Sequence, residues 1–415
     1  MRRIGPEAAI TALIALLAPF AAAKGAMAQD PFPAGVESKS AGMESAVAAR
    51  SAPAALYNPA NLGQEPAEGR TYLEAGAVRA RATYEHPEFD QVYVQIMSPT
   101  ATLGATGSLL DPRLRAGFTV FPTRSGNLAI NGLPQRVSGE IQPLAVENAE
   151  HAVKSALGLS WELAPGIHLG TGAIHATERR EITARVVGSA TPLLKQTMKN
   201  NFVRGIAGLR ADSRFGSFAA AYTSSVTKSY EGNRDMAGSE PGVRPQAVSY
   251  DPAVIAAGWS LALGRHFGAE VSLNQRKWNE SAAIMREGLA DETHGADIHD
   301  VLESGIRAWW KTQRGWRLGA AIAELPSPWG EGGTSATGSQ RMMGPGFGMS
   351  NGVDRRSLGL SAQTDQVTLG SLDFGSLDFA FMNTWGSRTV STVGAAPGHY
   401  QMDVVTLTAS TTKVF

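Results

Sequence analysis

The sequence contains no cysteine. Disulfide frameworks, thiolate metal sites and cysteine nucleophiles are therefore excluded. Charge is scarce too: Asp, Glu, Lys and Arg make up 18% of the 415 residues, against about 25% in ordinary soluble domains. Basic and acidic side chains number 37 each, so the basic excess of a general nucleic-acid binder is missing. Beyond residue 28 no uncharged apolar run approaches the length of a membrane-spanning helix, about 20 residues. The apolar share, 43%, is ordinary; what stands in place of the missing charge is small, with 46 glycines beside many Ser, Thr and Ala.

One apolar run does occur at the start. Arg2 and Arg3 precede an uncharged stretch from Ala8 to Ala23, interrupted by Pro19, and Ala26-Met27-Ala28 supplies small residues around a cleavage point near Gln29. This pattern predicts a cleaved export signal over residues 1–28 and argues against a cytoplasmic enzyme. With helical spans excluded, a mature chain within a membrane must be a closed β-barrel, because lipid satisfies no backbone hydrogen bonds. The alternative is an exported β-sandwich or β-helix.

Several segments alternate with period two, as strands with unlike faces do. In Ser155–Leu163 one face carries Leu157, Leu159, Trp161 and Leu163; after Ala164-Pro165-Gly166, the residues Ile167, Leu169, Thr171 and Ala173 resume it. Gly258–Leu263 pairs in pattern with Ala269–Asn274, and Val301–Trp310 with Trp316–Ala323. Short turns alternate with longer polar connections such as Glu231–Pro245 and Glu331–Asp354. That asymmetry predicts an all-β, antiparallel outer-membrane barrel, with tight turns on the periplasmic side and long outer loops. Trp161, Trp259, Trp278, Trp309, Trp310, Trp316, Trp385 and Tyr400 are the candidates for its interfacial aromatic girdles. The final alternating segment ends on Phe415, which resembles the terminal aromatic residue read by the outer-membrane barrel assembly machinery. Residues 29–70, by contrast, hold Pro31, Pro33, Pro53, Pro59 and Pro66 without alternation, and read as a plug of short helical turns or as a flexible linker.

Four stretches and the C-terminal strand together carry a family resemblance. They are Leu56-Tyr57-Asn58-Pro59-Ala60 with Asn61-Leu62-Gly63, then Leu114–Thr123, Asp251–Asn279, Trp316–Pro328 and the last strand from Gly398 to Phe415. In order and spacing, from about residue 45 to 415, they resemble the FadL-type outer-membrane long-chain fatty-acid transporters, which include aromatic-hydrocarbon uptake channels. The resemblance implies a barrel of about 14 strands over residues 71–415 and an N-terminal hatch over 29–70 within its lumen, with Asn58, Pro59 and Ala60 as the hatch motif. It implies a passive uptake channel in the bacterial outer membrane, not an enzyme, with no cofactor. Its partners would be a hydrophobic small molecule such as a fatty acid or hydrocarbon, outer-membrane lipid and lipopolysaccharide, and the assembly machinery. Residues 124–155 and the loop 331–354 depart from the family pattern.

Strand phase then nominates inward arginines: Arg115, Arg204, Arg210, Arg307 and Arg317 each oppose an apolar face. Each is a candidate partner for a ligand carboxylate, or else a structural charge paired with Glu162, Glu270, Glu303 or hatch carbonyls. No catalytic or metal motif emerges. His294 to Asp300 fits neither the helical zinc spacing nor the calcium loop, Gly330–Gly348 lacks a phosphate-loop ending, and no G-x-S-x-G element is present. Glu178-Arg179-Arg180-Glu181 reads as a solvated strand end or loop. Two other functions stay open from sequence: a general porin for small hydrophilic solutes, and a surface adhesin or structural barrel.

Overall fold

The computed structural model describes residues 33–65, 68–85, 91–137, 140–236, 247–280, 299–328, 353–369, 372–390 and 398–414. Its strands are β1 (Arg70–Glu85), β2 (Val92–Ser108), β3 (Leu114–Val137), β4 (Glu140–Ala164), β5 (Ile167–Val186) and β6 (Leu194–Ser213). They continue as β7 (Gly216–Thr223), β8 (Val226–Met236), β9 (Ala247–Asp251), β10 (Ala253–Leu263) and β11 (Phe267–Lys277). The remainder are β12 (Val301–Lys311), β13 (Arg317–Leu325), β14 (Asp354–Leu369), β15 (Leu372–Val390) and β16 (Gly398–Val414).

Every pairing is antiparallel, and β16 returns to β1 in register from Arg70 opposite Val414 to Glu85 opposite His399. β7 and β8 both pair with β6, and β10 and β9 pair with β7 and β8 respectively. Each couple is thus one strand with a break, at Ser224-Ser225 and at Pro252, and the wall is a closed barrel of fourteen strands. Closure leaves no sheet edge along the paired part of the wall.

The period-two pattern puts Leu103, Phe118, Leu157, Trp161, Leu209, Trp259, Ile306, Ile322 and Leu407 on the outside, all exposed. A soluble protein does not present an apolar belt around its whole girth; a lipid-facing barrel must. The inward face is small and polar: Thr102, Thr119, Ser160, Ser272, Ser357, Thr406 and Ser410 are buried there. Among the described residues no helix is long and apolar enough to cross a membrane.

Tight connections gather at one end of the wall, where Gly264 (φ 79°) and Gly315 (φ 85°) take the left-handed conformation that turns require. Height is uneven around the girth. β3 and β4 run for 24 and 25 residues, whereas β13 has 9 and β11 and β12 have 11 each.

Several expectations need correction. Residues 124–137 and 140–155, which depart from the family pattern in sequence, form the outer halves of the β3–β4 hairpin, paired as far as Val137 opposite Glu140. Glu231–Met236 belongs to strand β8 and not to a loop. Glu178 to Glu181 lies inside β5: Glu178 and Arg180 turn inward and are buried, while Arg179 and Glu181 pair outside at 2.6 Å. Trp161, Trp259, Trp310 and Trp385 face outward as girdle residues, but Trp278 is buried and Trp309 lies under the Arg317 guanidinium, 4.8 Å from ring centre. Their strand phase is inward, so they serve the lumen. Phe415, His294, Asp297 and Gly330–Gly348 lie outside the described residues.

The ladder between β2 and β3 is short. It runs only from Ser108 opposite Arg115 to Leu103 opposite Val120, although both strands continue outward. Pro122, two residues past the last pair, has no N–H to donate, and the β3–β4 register shifts between Pro122 and Arg124.

Candidate functional site

Residues 33–65 fill the turn-side half of the lumen. They form α1 (Val36–Ser40), α2 (Ala54–Tyr57) and the 3₁₀ turn η1 (Pro59–Gln64), joined by loops. The Asn-Pro-Ala triplet is legible atom by atom. Pro59 begins η1, where its missing N–H costs nothing. Asn58 Oδ1 accepts from Ala60 N at 3.1 Å, and its Nδ2 donates to Ala46 O and to Leu209 O of the wall, at 3.1 and 3.2 Å. Ala60 is fully buried against Gly170, where any larger inward side chain would overlap it.

Other inward glycines make the same allowance. A Cβ on Gly104, Gly117, Gly208, Gly258 or Gly359 would overlap Ala52, Leu62, Asn58, Val47 or Ser40 respectively, and one on Gly305 would sit 2.6 Å from Met43 Sδ. The wall is thus relieved of side chains where the hatch passes.

Buried charge fixes it further. Lys39 of α1 forms an ion pair with Glu74 of β1, both side chains at 0% exposure, and Tyr72 Oη donates to the same carboxylate at 2.6 Å. Ser45 Oγ reaches Glu270 at 3.1 Å, and Glu44 binds Arg276, which also holds Glu303 at 2.8 Å.

Outward of the hatch lies a cavity of about 160 Å³. Leu56 and Tyr57 of α2, Phe121 of β3, Ile174 of β5 and Phe202 of β6 line its apolar side. Its charged lining comprises Lys154, Arg204, Lys228, Arg276 and Arg355 against Glu44, Asp251 and Glu303. Lys228 binds Asp251 and Glu178, each at 2.9 Å, and Arg276 is shared by its two glutamates. Among the described residues Arg355 has no ion pair, and its Nε is buried without a hydrogen-bond partner. The site is therefore half oily, with a buried guanidinium that keeps a free donor.

Of the five nominated arginines only Arg204 lines this cavity, and its donors are engaged. It gives Nε to Ser224 O and Nη2 to Pro252 O, both at 2.7 Å, the carbonyls freed where two neighbouring strands break. Arg210 holds the hatch through Asn61 Oδ1 at 3.2 Å and Val47 O at 3.4 Å, with Asp212 at 3.1 Å. Arg115 donates to Glu65 O at 3.2 Å and to Pro112 O. Arg307 lies 4.0 Å from Glu270 and 3.4 Å from Ser361 Oγ, and Arg317 covers Trp309. The lining residues that phase analysis passed over, Arg276, Lys154 and Arg355, lie on the same inward phase but farther along their strands, beyond the segments where alternation was plain. Among the described residues no cluster of His, Asp or Glu is arranged to hold a metal ion.

No family model matches the sequence, and no curated protein matches it. The solved structures are different. The chain superimposes on a Pseudomonas aeruginosa FadL homologue with TM-score 0.70 over 94% of this chain and 100% of that one, at 13% identity. The fold is that of the FadL-type channels. The Pseudomonas putida toluene transporter TodX (TM-score 0.61, 12% identity, 88% of this chain and 94% of that one) has the same fold. So does the Ralstonia pickettii toluene transporter TbuX (0.59, 11%, 91% and 98%). Within a FadL-type barrel the residues 33–65 occupy the place of a luminal hatch, and the cavity lies between that hatch and the inner face of the wall. Identities near one in ten carry architecture and not cargo.

Proposed function

We propose that this chain is a diffusive outer-membrane channel for hydrophobic compounds, and that its cargo includes long-chain fatty acids or similar amphiphiles with one anionic end. The observation that carries the reading is the cavity: an aromatic and aliphatic wall facing Arg355, whose buried Nε has no hydrogen-bond partner, above a floor made of the hatch. Such a wall offers about 0.8 kcal/mol per methylene taken out of water. A carboxylate placed against an unpaired guanidinium gains a charge-assisted bond that a neutral hydrocarbon lacks.

Two exits follow from the same geometry. One is movement of the hatch, taken as residues 29–70 after removal of the signal over 1–28. The other is sideways, past Phe121, through the stretch where β2 and β3 are not hydrogen-bonded to each other. An open porin lumen is a poorer reading, because residues 33–65 occupy the lumen with buried contacts. The toluene transporters of like fold make neutral aromatics the natural competitor cargo.

The test is binding and uptake with purified protein. Proteoliposomes carrying the full chain should take up radiolabelled palmitate faster than empty liposomes, with toluene as the neutral comparison. Equal rates with and without protein for both compounds would overturn the channel reading.

A further inference from the structure

The outer face of the tall flank carries basic side chains abreast. His151 of β4 stands opposite Arg179 of β5, and Arg179 stands opposite Lys199 of β6. All three are exposed on the outward phase. Like charges facing each other across a ladder destabilise it. Elsewhere on the wall Arg79 meets Asp403 at 3.8 Å, and Arg356 meets Glu324 directly across the ladder at 3.7 Å. Two acids border the basic row. Glu181 takes one Nη of Arg179 at 2.6 Å, and Glu231 follows Lys199 in register on β8 without forming an ion pair with it.

The height of the row is telling. Each member stands ten positions outward of Trp161, Leu169 or Leu209, which are exposed and partner one another on the same three strands. Ten residues at about 3.3 Å with a tilt near 45° rise roughly 23 Å, close to the apolar band of such barrels, about 25 Å tall. The basic row thus meets the membrane where hydrocarbon gives way to head groups, on the side away from the tight turns. Two strand spacings, about 10 Å, span it. Below it Val153, Leu157, Leu159 and Val203 are exposed to lipid.

We propose that His151, Arg179 and Lys199 form a seat for the phosphate of an outer-leaflet glycolipid, with its acyl chains lying down the apolar side chains beneath. A guanidinium and an ammonium side by side make charge-assisted bonds to phosphate oxygens, and the imidazole adds an N–H donor. The bound anion turns mutual repulsion into cohesion and ties three strands of the tall flank together. The inference rests on the wall standing in the outer membrane, and holds whatever the cargo is; a failed palmitate uptake leaves it untouched.

Native mass spectrometry of the full chain in neutral detergent micelles tests it, with titrations of phosphorylated lipid A and of the same lipid A stripped of phosphate. Wild-type protein should bind the phosphorylated form roughly tenfold more tightly. Arg179→Gln combined with Lys199→Gln should abolish most of that preference, and Arg356→Gln on the short flank should keep it. Equal affinity for the two lipids in the wild type, or a preference that survives the double substitution, would overturn the seat. Inorganic phosphate alone should not displace the lipid; displacement at equal concentration would mark a free-anion site and overturn the lipid assignment. Should the double variant not assemble, Lys199→Gln alone with an unchanged preference overturns it equally.

Discussion

The two halves of the lumen solve opposite problems. On the turn side the wall meets the hatch through glycines, serines and threonines, and three ion pairs lie there: Lys39 with Glu74, Arg210 with Asp212, Arg307 with Glu270. On the outer side the wall keeps its large side chains, Phe121, Ile174 and Phe202 among them, and leaves Arg355 unpaired beside space. Paired charge with no room makes a seal. Unsatisfied polarity with room makes a binding site. The same barrel phase supplies both, because the inward positions differ only in how much side chain each carries.

The sharpest way to break this contrast is to unpair a charge in the seal. Glu74→Ala leaves Lys39 buried without its carboxylate, and should weaken hatch seating by about 3–5 kcal/mol. Single-channel recording in planar bilayers should then show frequent large openings in a barrel that still shifts mobility on heating. A smaller effect is expected from filling the seal. Gly208→Ala places a methyl against Asn58 and should cost about 1–3 kcal/mol of seating, read by the same recordings. On the outer side, Arg355→Ala should lower affinity for palmitate by roughly 10- to 100-fold, in line with the loss of a hydrogen bond to a charged group. Toluene binding in the same titration should change by less than about twofold. The smallest effect should come from Arg317→Ala. It removes a guanidinium–indole stack worth about 0.5–1 kcal/mol when partly exposed, seen as a slight fall in the urea midpoint for unfolding from micelles.

Much of the wall was readable from residue order alone. Alternation in Ser155–Leu163, Gly258–Leu263 and Val301–Trp310 marks the lipid face, because a period of two leaves no freedom about which residues share a side. The inward phase of Arg204 and Arg307 follows from the same rule. What phase does not reveal is height along the strand or the partner across the lumen. Arg204 illustrates this: its neighbours in sequence say nothing of the breaks at Ser224 and Pro252 whose carbonyls it satisfies. The long β3–β4 hairpin was hidden for a related reason. Pro122, Pro134 and Pro143 punctuate it in the manner of a loop, yet register shifts at Pro122/Arg124 and Ile130/Leu133 let the ladder continue past them. Trp278 misled because an aromatic near a strand end fits a girdle or a lumen equally well until its side is known.

The uneven rim has a consequence of its own. At about 3.3 Å per residue and a tilt near 45°, the 9 residues of β13 rise roughly 20 Å, while the 25 of β4 rise close to 60 Å. The paired strands of one flank therefore rise no farther than the apolar band, about 25 Å tall, while those of the other stand like a mast well above it. Leu144, Val146, Ile182, Leu194 and Met198 are buried on the inner side of that mast, so its tall wall has an apolar lining of its own.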